Sequence, residues 1–305
     1  MVTLKDMPKE ELILKGNAAC PGCPATVALR IVLKVLGKNT IMTVPACCTA
    51  VIQGLYPRTA FNVPLMNIAF EAVGAGASGI KAGLRSQGKD DVNVLAWAGD
   101  GGSYDIGIQA LSGAAERGTD MIFICYNNQM YSNTGVQRSG ATPYGASTTT
   151  TWTGKLEHNK DLAEIMMAHH IPYVASACVS YPDDLYAKVE KAKKIKGFKY
   201  IEILAPCPPG WRFPMENMID LGRQAVETGM WALYEVEDDK MTFTGPSKGI
   251  LDGARERKPV LEYLQGQGRF SHLFKPAPNE NALKEIDSYL AKVWDRYRKQ
   301  AECLK

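Results

Sequence analysis

Residues 92–130 of the chain read VNVLAWAGDGGSYDIGIQALSGAAERGTDMIFICYNNQM. Two apolar runs, at residues 92–96 and 121–126, have the composition of buried strands, and the segment between them has the apolar spacing of a helix. The first run leads into a GDG motif at residues 99–101, and the second ends in NN at residues 127–128. Two strands joined by a helix predict a parallel pair, with both polar turns at the same edge of the sheet.

The same alternation of short apolar runs and longer helical patterns continues along the chain. Predicted helices cover residues 24–36, 68–84, 106–117, 162–168 and 183–195, and predicted strands cover residues 40–44, 92–96, 121–126, 173–177 and 200–204. This pattern predicts an α/β fold with a mostly parallel sheet and helices on both faces. Ligands of such sheets bind beyond the carboxyl ends of the strands, so the residues after each strand are the candidates for function.

The composition excludes some classes of function. The 305 residues carry 35 basic and 32 acidic side chains, which gives a formal net charge of +3. No window approaches the roughly 18 consecutive apolar residues of a membrane span, and the mixed charges of residues 1–12 differ from those of a signal peptide. We therefore expect a cytoplasmic protein that does not act at a membrane. The near-neutral charge argues against nucleic-acid binding.

Two segments interrupt the alternation. Residues 133–155 are rich in Gly, Ser and Thr without a clear period, which predicts a long ordered loop of the kind that is usually functional. Residues 243–278 are rich in Gly and Pro and predict an extended arm rather than core. An amphipathic terminal helix follows, marked by Leu283, Ile286, Leu290, Val293 and Trp294.

The GDG and NN turns have the chemistry of a magnesium diphosphate site. About 25 residues separate Gly101 from Asn127. Glycines allow the backbone to approach a diphosphate closely, and amides at a helix start favour its negative charge. Asp100 offers a carboxylate oxygen and Asn128 an amide oxygen, both suited to the hard Mg²⁺ ion. An isolated GDG is a weak signal, but its position one strand away from NN makes it specific.

This pairing resembles the diphosphate-binding motif of thiamine diphosphate enzymes. The surrounding residues are similar to those of the beta subunit of pyruvate:ferredoxin oxidoreductase and related 2-oxoacid:ferredoxin oxidoreductases. The similar stretches are YDIG at 104–107, ALSGA at 110–114, YSNTGVQRSGATPYG at 131–145, APCP at 205–208, GWRF at 210–213 and AVETG at 225–229. The resemblance covers about residues 16–235.

The resemblance implies roles for individual residues. Asp100, Asn128 and the carbonyl of Met130 would ligate Mg²⁺. Asn133 would lie near the substrate and the reactive ring of thiamine diphosphate. The diphosphate would be surrounded by Gly99, Gly101, Gly102, Ser103 and Thr134.

The eight cysteines need an explanation, because a cytosolic chain of this size does not require disulfides. Cys20 and Cys23 form a CxxC before a helix, which by itself fits a redox dithiol or half of a zinc site. Adding Cys47-Cys48 and Cys207, which follow strands, gives enough sulfurs for a tetrahedral zinc or a [4Fe–4S] cluster. Spacing alone leaves these alternatives open.

The resemblance implies a [4Fe–4S] cluster close to thiamine diphosphate. Its ligands would be Cys20, Cys23, Cys48 and Cys207, and Cys47 competes with Cys48 for the third position. The other cysteines have no predicted ligand role: Cys125 and Cys178 are expected in the core, and Cys303 lies in the tail.

The resemblance also implies that the chain is only part of an enzyme. No motif supplies the glutamate that activates the aminopyrimidine ring, and in the family another subunit provides it. We therefore expect partner subunits, electron transfer through the cluster to ferredoxin, and possible use of coenzyme A. We predict a domain at residues 1–240 that binds thiamine diphosphate and the cluster. Residues 241–305 would form an arm and helix that pack on partner subunits.

The resemblance implies a small 2-oxoacid as the substrate, and the sequence does not decide between pyruvate and oxalate. Three positions near the predicted cofactor depart from the pyruvate pattern: Asn17 replaces a histidine, Thr49-Ala50 replaces a Leu-Glu pair, and residues 65–67 replace Trp-Ile-His. The loss of possible proton donors suggests a changed pocket, as in oxalate oxidoreductase.

Two other classes of protein remain as alternatives, a zinc-bearing structural or binding subunit and an NAD-dependent dehydrogenase. Residues 74–79 match GxGxxG, but residues 68–73 before them are predicted as helix, so the glycines are expected to allow close helix packing. His169-His170 is expected at a helix end without a metal. A lysine cluster is expected to be a solvated face, although it could attract an acidic ferredoxin; it comprises Lys188, Lys191, Lys193, Lys194, Lys196 and Lys199.

Overall fold

The computed structural model describes residues 4–303, so residues 1–3 of the charged N-terminal stretch and residues 304–305 lie outside it, and the side chains of Leu4 and Cys303 are not described. Its centre is an eight-stranded sheet in the order β2-β1-β3-β4-β6-β5-β7-β8. The strands are β1 (Thr40–Pro45), β2 (Leu65–Ile68), β3 (Asn93–Gly99), β4 (Met121–Asn127), β5 (Tyr173–Cys178), β6 (Phe198–Leu204), β7 (Tyr234–Glu237) and β8 (Lys240–Phe243). The first six pair in parallel, whereas β7 and β8 add an antiparallel edge.

Helices cover the two faces of this sheet. They are α1 (Pro24–Leu36), α2 (Cys48–Ile52), α3 (Val73–Ser86), α4 (Ile108–Glu116), α5 (Leu162–Met167), α6 (Pro182–Lys194), α7 (Pro208–Trp211), α8 (Met218–Glu227), α9 (Gly245–Leu251), α10 (Val260–Gln265) and α11 (Glu280–Cys303). The crossovers through α4 and α6 run in opposite directions along the strand order, so right-handed connections put them on opposite faces. Helix α3 packs on α4, and α1 packs on α6. The predicted α/β class is confirmed.

No helix among residues 4–303 combines the length and the apolarity that a membrane crossing needs.

All five predicted strands are present, and three further strands were not predicted. The helix predicted at residues 68–84 begins only at Val73, because β2 occupies residues 65–68. This strand has four residues at the edge of the sheet, and two of them, Met66 and Asn67, are exposed. A short edge strand of this kind has no alternation of apolar and polar residues from which to predict it.

The expectation of an extended arm at residues 243–278 is wrong. Phe243 belongs to β8, and α9, α10 and a 3₁₀ segment at Gly268–Leu273 follow it. Arg269 and Phe270 of that segment have no exposed surface. The Gly and Pro residues of this stretch separate short helices rather than preventing them. The predicted terminal helix is present as α11, which packs on β8 and α9; the packing of residues 241–305 on partner subunits stays a prediction.

The sheet order places the candidate site. Strands β1, β3, β4 and β6 are neighbours and run in parallel, so their carboxyl ends lie side by side. The residues that follow these ends are, in the same order, Cys47-Cys48, Asp100, Asn128 and Cys207. Residues separated by about 160 positions in the chain therefore meet at one edge of the sheet, as the sequence predicts.

Candidate functional site

The loop after β3 is built for close approach of the backbone. It continues from Asp100 into a π-helical turn, Gly101–Asp105. A Cβ atom on Gly101 would lie 2.0 Å from the ring of Tyr131, and a Cβ on Gly102 would lie 3.2 Å from Phe70. Gly101 therefore has to be glycine for Tyr131 to pack on it. Such π-helical turns frequently mark functional sites.

Asp100 is buried at this edge, where it accepts a hydrogen bond from the hydroxyl of Ser139. Burial raises the pKa of the Asp100 carboxyl to about 7, although the Ser139 hydrogen bond acts in the opposite direction. A cation beside the carboxyl would favour its ionised form and remove this penalty.

Three oxygen-bearing groups converge at this edge. The side-chain amide of Asn128 lies 2.7 Å from the carbonyl oxygen of Met130 and 3.0 Å from Oδ1 of Asp100, and its NH₂ donates to both oxygens. Rotation of this amide by half a turn would present its oxygen to a cation beside the other two. Carboxylate, amide and carbonyl oxygens are the ligands that Mg²⁺ prefers. The donor set predicted for Mg²⁺ thus stands together, and the residues fit the ion.

Buried contacts hold the NN loop in this position. The backbone carbonyl of Asn128 accepts a hydrogen bond from the indole Nε1–H of Trp211, at 2.8 Å. The next residue, Gln129, has a φ of 65°, in the left-handed region, and its carbonyl accepts from Thr142 at 2.7 Å. Since a non-glycine residue at positive φ is uncommon, the surrounding contacts must stabilise this turn.

The remaining predicted diphosphate residues differ in their contacts. Gly99 ends β3, and the buried Ser103 donates its hydroxyl to the Gly99 carbonyl at 2.9 Å. Thr134 is exposed and donates to the side chain of Gln137 at 2.5 Å. Asn133 is also exposed and lines a cleft at this edge. Ser103 and Thr134 therefore already use their hydroxyls within the chain, and their roles at a diphosphate stay predictions.

A buried network that the sequence did not indicate lies behind these loops. The Glu202 carboxyl accepts from Asn127 at 2.6 Å and from the hydroxyl of Tyr104, so it joins the GDG turn to the NN turn. Burial raises the pKa of Glu202 to about 7, against the effect of both hydrogen bonds. The one available signal was a glutamate within the apolar run of β6, and a single acidic residue in a strand is weak evidence for function.

The four predicted cluster ligands come from three loops. Cys20 and Cys23 lie on the turn before α1, where the Cys23 N–H donates to the Cys20 carbonyl at 3.1 Å. Cys48 begins α2, and Cys207 immediately precedes α7. Cys20 is exposed and the other three are half-buried, and all four are free thiols. Proline at the first position of α1 and α7 starts each helix directly after its cysteine.

The thiols affect one another, which shows that these loops converge. Burial raises the pKa of Cys48, and the nearby Cys207, Cys47 and Cys23 thiols raise it further. Burial also raises the pKa of Cys207 to about 11, with smaller contributions from Cys23 and Cys20. Cys47, in contrast, is buried in the core, where its thiol contacts the hydroxyl of Tyr126. Burial raises the pKa of this thiol. These contacts favour Cys48 over Cys47, and the ligand set stays a prediction.

No group of three or more His, Cys, Asp or Glu side chains in the described part of the chain stands ready to hold a single metal ion. A cleft of about 20 Å³ is lined by Cys47 and Cys48 on one side and by Asp100, Asn128 and Asn133 on the other. The predicted magnesium site and the predicted cluster site therefore border the same cleft.

The serine at position 132 links the two groups of ligands. Its hydroxyl lies 3.1 Å from the side-chain amide of Asn128 and is hydrogen-bonded to the thiol of Cys207. The oxygen ligands and the thiols are therefore separated by little more than one side chain.

The residues expected to have no ligand role have other contacts. Cys125 and Cys178 are buried in β4 and β5, as predicted, and the side chain of Cys303 lies outside the described residues. His169 contacts Ser112 at 3.1 Å, and His170 contacts the Asp239 carboxylate at 3.3 Å.

The GxGxxG at residues 74–79 lies inside α3, but the prediction of helix before it is wrong, since β2 and a turn precede it. A Cβ on Gly74 would lie 2.6 Å from the Ala110 carbonyl of α4. The expected reason for these glycines, close packing, agrees with this contact.

The lysine cluster is not a uniform solvated face. Lys188 and Lys199 are buried, and they pair with Asp184 at 2.6 Å and Asp120 at 2.7 Å. The other four also have partners: Glu235 for Lys191, the Val35 carbonyl for Lys193, Glu190 for Lys194 and Asp120 for Lys196. Much of this positive charge is neutralised within the chain, which weakens its case as a docking surface for an acidic partner.

Two of the three departures from the pyruvate pattern have local roles. Asn17 accepts from Ala19 and donates to the Leu14 carbonyl, which shapes the turn before the CxxC. Thr49 is buried and accepts from the indole of Trp97 at 3.0 Å. Met66 and Asn67 are exposed on the edge strand β2.

Comparison with known proteins identifies the relatives of the chain. Residues 46–203 match the family model "Thiamine pyrophosphate enzyme, C-terminal TPP binding domain". Pyruvate synthase subunit PorB of Methanothermobacter thermautotrophicus is 48% identical over 297 residues, which cover 96% of this chain and 99% of the relative. Ketoisovalerate oxidoreductase subunit VorB of Pyrococcus abyssi is 44% identical over 306 residues, with 97% and 95% covered.

The fold is also that of a solved structure. A 2-oxoglutarate:ferredoxin oxidoreductase from Magnetococcus marinus superimposes with a TM-score of 0.56 at 20% identity, covering 72% of this chain and 79% of the other. At that identity the likeness concerns the fold alone.

Proposed function

Because the chain belongs to the beta subunits of the thiamine-diphosphate-dependent 2-oxoacid:ferredoxin oxidoreductases, we propose that it holds Mg²⁺, the cofactor diphosphate and a [4Fe–4S] cluster at the carboxyl edge of its sheet. The carrying observation is the convergence of the Asp100 carboxylate, the Asn128 side-chain amide and the Met130 carbonyl next to the half-buried thiols. The comparisons favour this function over the alternatives of a zinc-bearing subunit and an NAD-dependent dehydrogenase.

An Mg²⁺ ion held by these oxygen ligands would neutralise part of the negative charge of the diphosphate. Asp100, Asn128 and the Met130 carbonyl would hold the Mg²⁺ ion, because carboxylate, amide and carbonyl oxygens are the ligands that it prefers. The backbone of Gly99, Gly101 and Gly102 and the side chains of Ser103 and Thr134 would surround the phosphates. Asn133 at the mouth of the cleft would contact the substrate. Thiamine diphosphate, when bound, supplies a carbanion that adds to the substrate carbonyl and an electron sink for loss of CO₂.

The chain itself contributes a rigid, partly dry site. Glu202, Tyr104 and Asn127 fix the spacing between the GDG and NN turns, and Trp211 fixes the Asn128 backbone. Water is excluded from the back of the site, where Asp100 and Glu202 are almost fully buried. Preorganised groups of this kind lose little energy on reorganisation when charge develops.

The electrons would leave through the cluster. Cys20, Cys23, Cys48 and Cys207 are proposed as its four ligands, and the position of Cys48 in the same cleft as Asp100 and Asn128 supports a cluster next to the cofactor. Cys20 is exposed, so the cluster would lie near the surface and could pass electrons onward to ferredoxin through other subunits.

The active site is completed by a partner. The relatives are subunits of larger oxidoreductases, and this chain works as one subunit of such a complex. No glutamate lines the cleft between Cys48 and Asn133 within residues 4–303, which supports the proposal that another subunit supplies the glutamate for the aminopyrimidine ring.

The substrate is proposed to be a small 2-oxoacid. Pyruvate and 2-ketoisovalerate are suggested by the names of the relatives, and oxalate by the altered residues 17, 49 and 65–67. Anaerobic assays of the purified complex with each acid, with and without coenzyme A, distinguish them. Turnover of pyruvate that requires coenzyme A, without turnover of oxalate, would eliminate the oxalate hypothesis.

The cofactors are tested on the anaerobically purified complex. We expect about four irons in this chain with absorbance near 400 nm, and thiamine diphosphate binding that depends on Mg²⁺. Zinc without that absorbance would support the structural-subunit alternative, and NAD binding without thiamine diphosphate binding would support the dehydrogenase.

A further inference from the structure

Arg269 carries a positive charge inside the chain without a matching negative charge. Its side chain has no exposed surface, and no carboxylate of the described residues pairs with it. Buried charges are normally paired, because moving an unpaired ion out of water costs several kcal/mol. Arg269 is therefore expected to have a negatively charged partner that is not one of the side chains around it.

The contacts of Arg269 orient its guanidinium but leave its charge intact. Nε donates to Oε1 of Gln267 at 2.8 Å, and Nη2 donates to Oε1 of Gln129 at 2.7 Å. The group lies over the ring of Trp211, 3.7 Å from its centre. Nη1 is buried and has no hydrogen-bond partner. Only neutral groups therefore touch it.

These contacts place Arg269 behind the two halves of the site. Gln129 lies between the proposed magnesium ligands Asn128 and Met130. Trp211 lies four residues after Cys207, and its backbone N–H donates to the Cys207 carbonyl at 2.8 Å. Burial lowers the pKa of Arg269 to about 10, while Tyr263 and the Cys207 thiol act in the opposite direction. The cation is thus within electrostatic reach of a proposed cluster ligand.

We propose that Arg269 is the internal counter-cation of the iron–sulfur cluster at Cys20, Cys23, Cys48 and Cys207, and that its charge raises the reduction potential of that cluster. The inference rests on the cluster of the proposed function. A cluster with four thiolates carries net negative charge, which increases when it accepts an electron. A nearby positive charge in a medium of low dielectric constant stabilises the reduced form.

Two rival roles make different predictions. If Arg269 only anchors Gln129 and Trp211, its hydrogen bonds matter and its charge does not. If Arg269 serves the diphosphate, its loss weakens cofactor binding and leaves the potential of the cluster unchanged. Mg²⁺ already neutralises much of the diphosphate charge, which favours the cluster as the partner of Arg269.

The test is a redox titration of the anaerobically purified complex, followed by EPR. A Cys207→Ala complex identifies, by its loss, the signal of the cluster in this chain. We expect Arg269→Gln, which keeps donors but removes the charge, to shift the reduction equilibrium at least tenfold toward the oxidised form, a fall of about 59 mV for one electron. Arg269→Lys, which keeps the charge, should remain within about threefold of the wild type.

A second pair of variants keeps Arg269 in place, in case its removal prevents folding. Gln267→Glu would put a carboxylate at the position of the amide that now accepts from Nε, and so neutralise the cation. We expect a fall in potential of the same sign as in Arg269→Gln. Gln267→Leu loses the same hydrogen bond without adding charge, and should leave the potential near that of the wild type.

The outcomes separate failure of this inference from failure of the proposed function. A wild-type chain without iron would overturn the cluster itself. Four irons per chain, with equal potentials in the wild type, Arg269→Gln and Gln267→Glu, would overturn the role of Arg269 alone. A potential that falls in Gln267→Leu as far as in Gln267→Glu would assign the effect to anchoring and would also overturn it.

Discussion

The two halves of the site are held in different ways. The oxygen half, around Asp100 and Asn128, is buried and fixed by hydrogen bonds from Ser139, Trp211 and Thr142. The thiol half has one exposed and three half-buried cysteines, and its side chains do not yet form a metal-binding group among the described residues. The chain therefore fixes the proposed magnesium ligands although burial disfavours the Asp100 carboxylate, whereas the geometry of the thiol half would be completed by the proposed cluster.

The largest effect is expected from Asp100→Asn. Loss of the one charged oxygen ligand should weaken Mg²⁺-dependent thiamine diphosphate binding by more than about 100-fold, since even indirect contacts to a metal typically contribute 10- to 100-fold. The free energy of unfolding without cofactor should stay level or rise, because burial disfavours the wild-type carboxylate. Calorimetric titration and chemical denaturation measure the two quantities. Unchanged cofactor affinity would remove Asp100 from the magnesium site.

A second test compares the adjacent cysteines. Cys48→Ala should lose the cluster, so iron falls from about four per chain to near zero. Cys47→Ala should retain its iron, since Cys47 is buried in the core beside Tyr126. Iron analysis of both variants, purified in parallel without oxygen, measures the difference. Iron retained in Cys48→Ala but lost in Cys47→Ala would exchange the two assignments.

A third test concerns the network behind the oxygen half. Burial raises the pKa of Glu202 to about 7 in the folded chain, from its ordinary value of 4.5. The folded state therefore binds the proton more tightly, and this contribution to stability is lost as the pH rises from about 4.5 through 7. Relative to Glu202→Gln, which does not titrate, the wild type should lose about 3 kcal/mol over that range.

Denaturant titrations of the wild type and Glu202→Gln at several pH values measure this loss. A difference between the two proteins that is constant from pH 4 to 8 would contradict a buried, titrating Glu202. Glu202→Ala, which also breaks the links to Tyr104 and Asn127, should in addition weaken cofactor binding more than Glu202→Gln does.

The smallest effect is expected at Thr134. Its hydroxyl is exposed and bonded to Gln137, so Thr134→Val should weaken thiamine diphosphate binding by less than about tenfold, the contribution of roughly one hydrogen bond. If Thr134→Val lost as much thiamine diphosphate affinity as Asp100→Asn, the loop that carries Thr134 would also belong to the preorganised half of the site. The same calorimetric titration applies to both variants.

The sequence was most informative where strands end. The parallel strands that begin at residues 40, 93, 121 and 198 are rich in apolar residues, and the residues that follow them were therefore predicted to meet. The edge strands β2 and β8 were missed, because short, partly exposed strands have no such runs.

The buried polar network could not be predicted from the sequence, for a different reason. Glu202 and Arg269 are ordinary charged residues in the chain, and their roles arise from partners 75 and 140 positions away, Asn127 and Gln129. Their burial is a property of tertiary packing, in particular of the segment at residues 268–273 that composition suggested was an arm. Without knowledge of that packing, neither residue differs from a surface charge.

The position of β6 between β4 and β5 sets the order in which the site can be completed during synthesis. Both neighbours precede β6 in the chain, so the central place in the sheet is filled by the last of the parallel strands to emerge from the ribosome. Cys207 follows that strand and Glu202 belongs to it. Until this strand is inserted, the nascent chain has the CxxC, Cys48 and both oxygen loops but lacks the fourth thiol and the carboxyl that joins the loops. Assembly of the proposed cluster would consequently follow folding of the sheet, and a chain that ends before residue 198 would offer iron three of the proposed ligands at most.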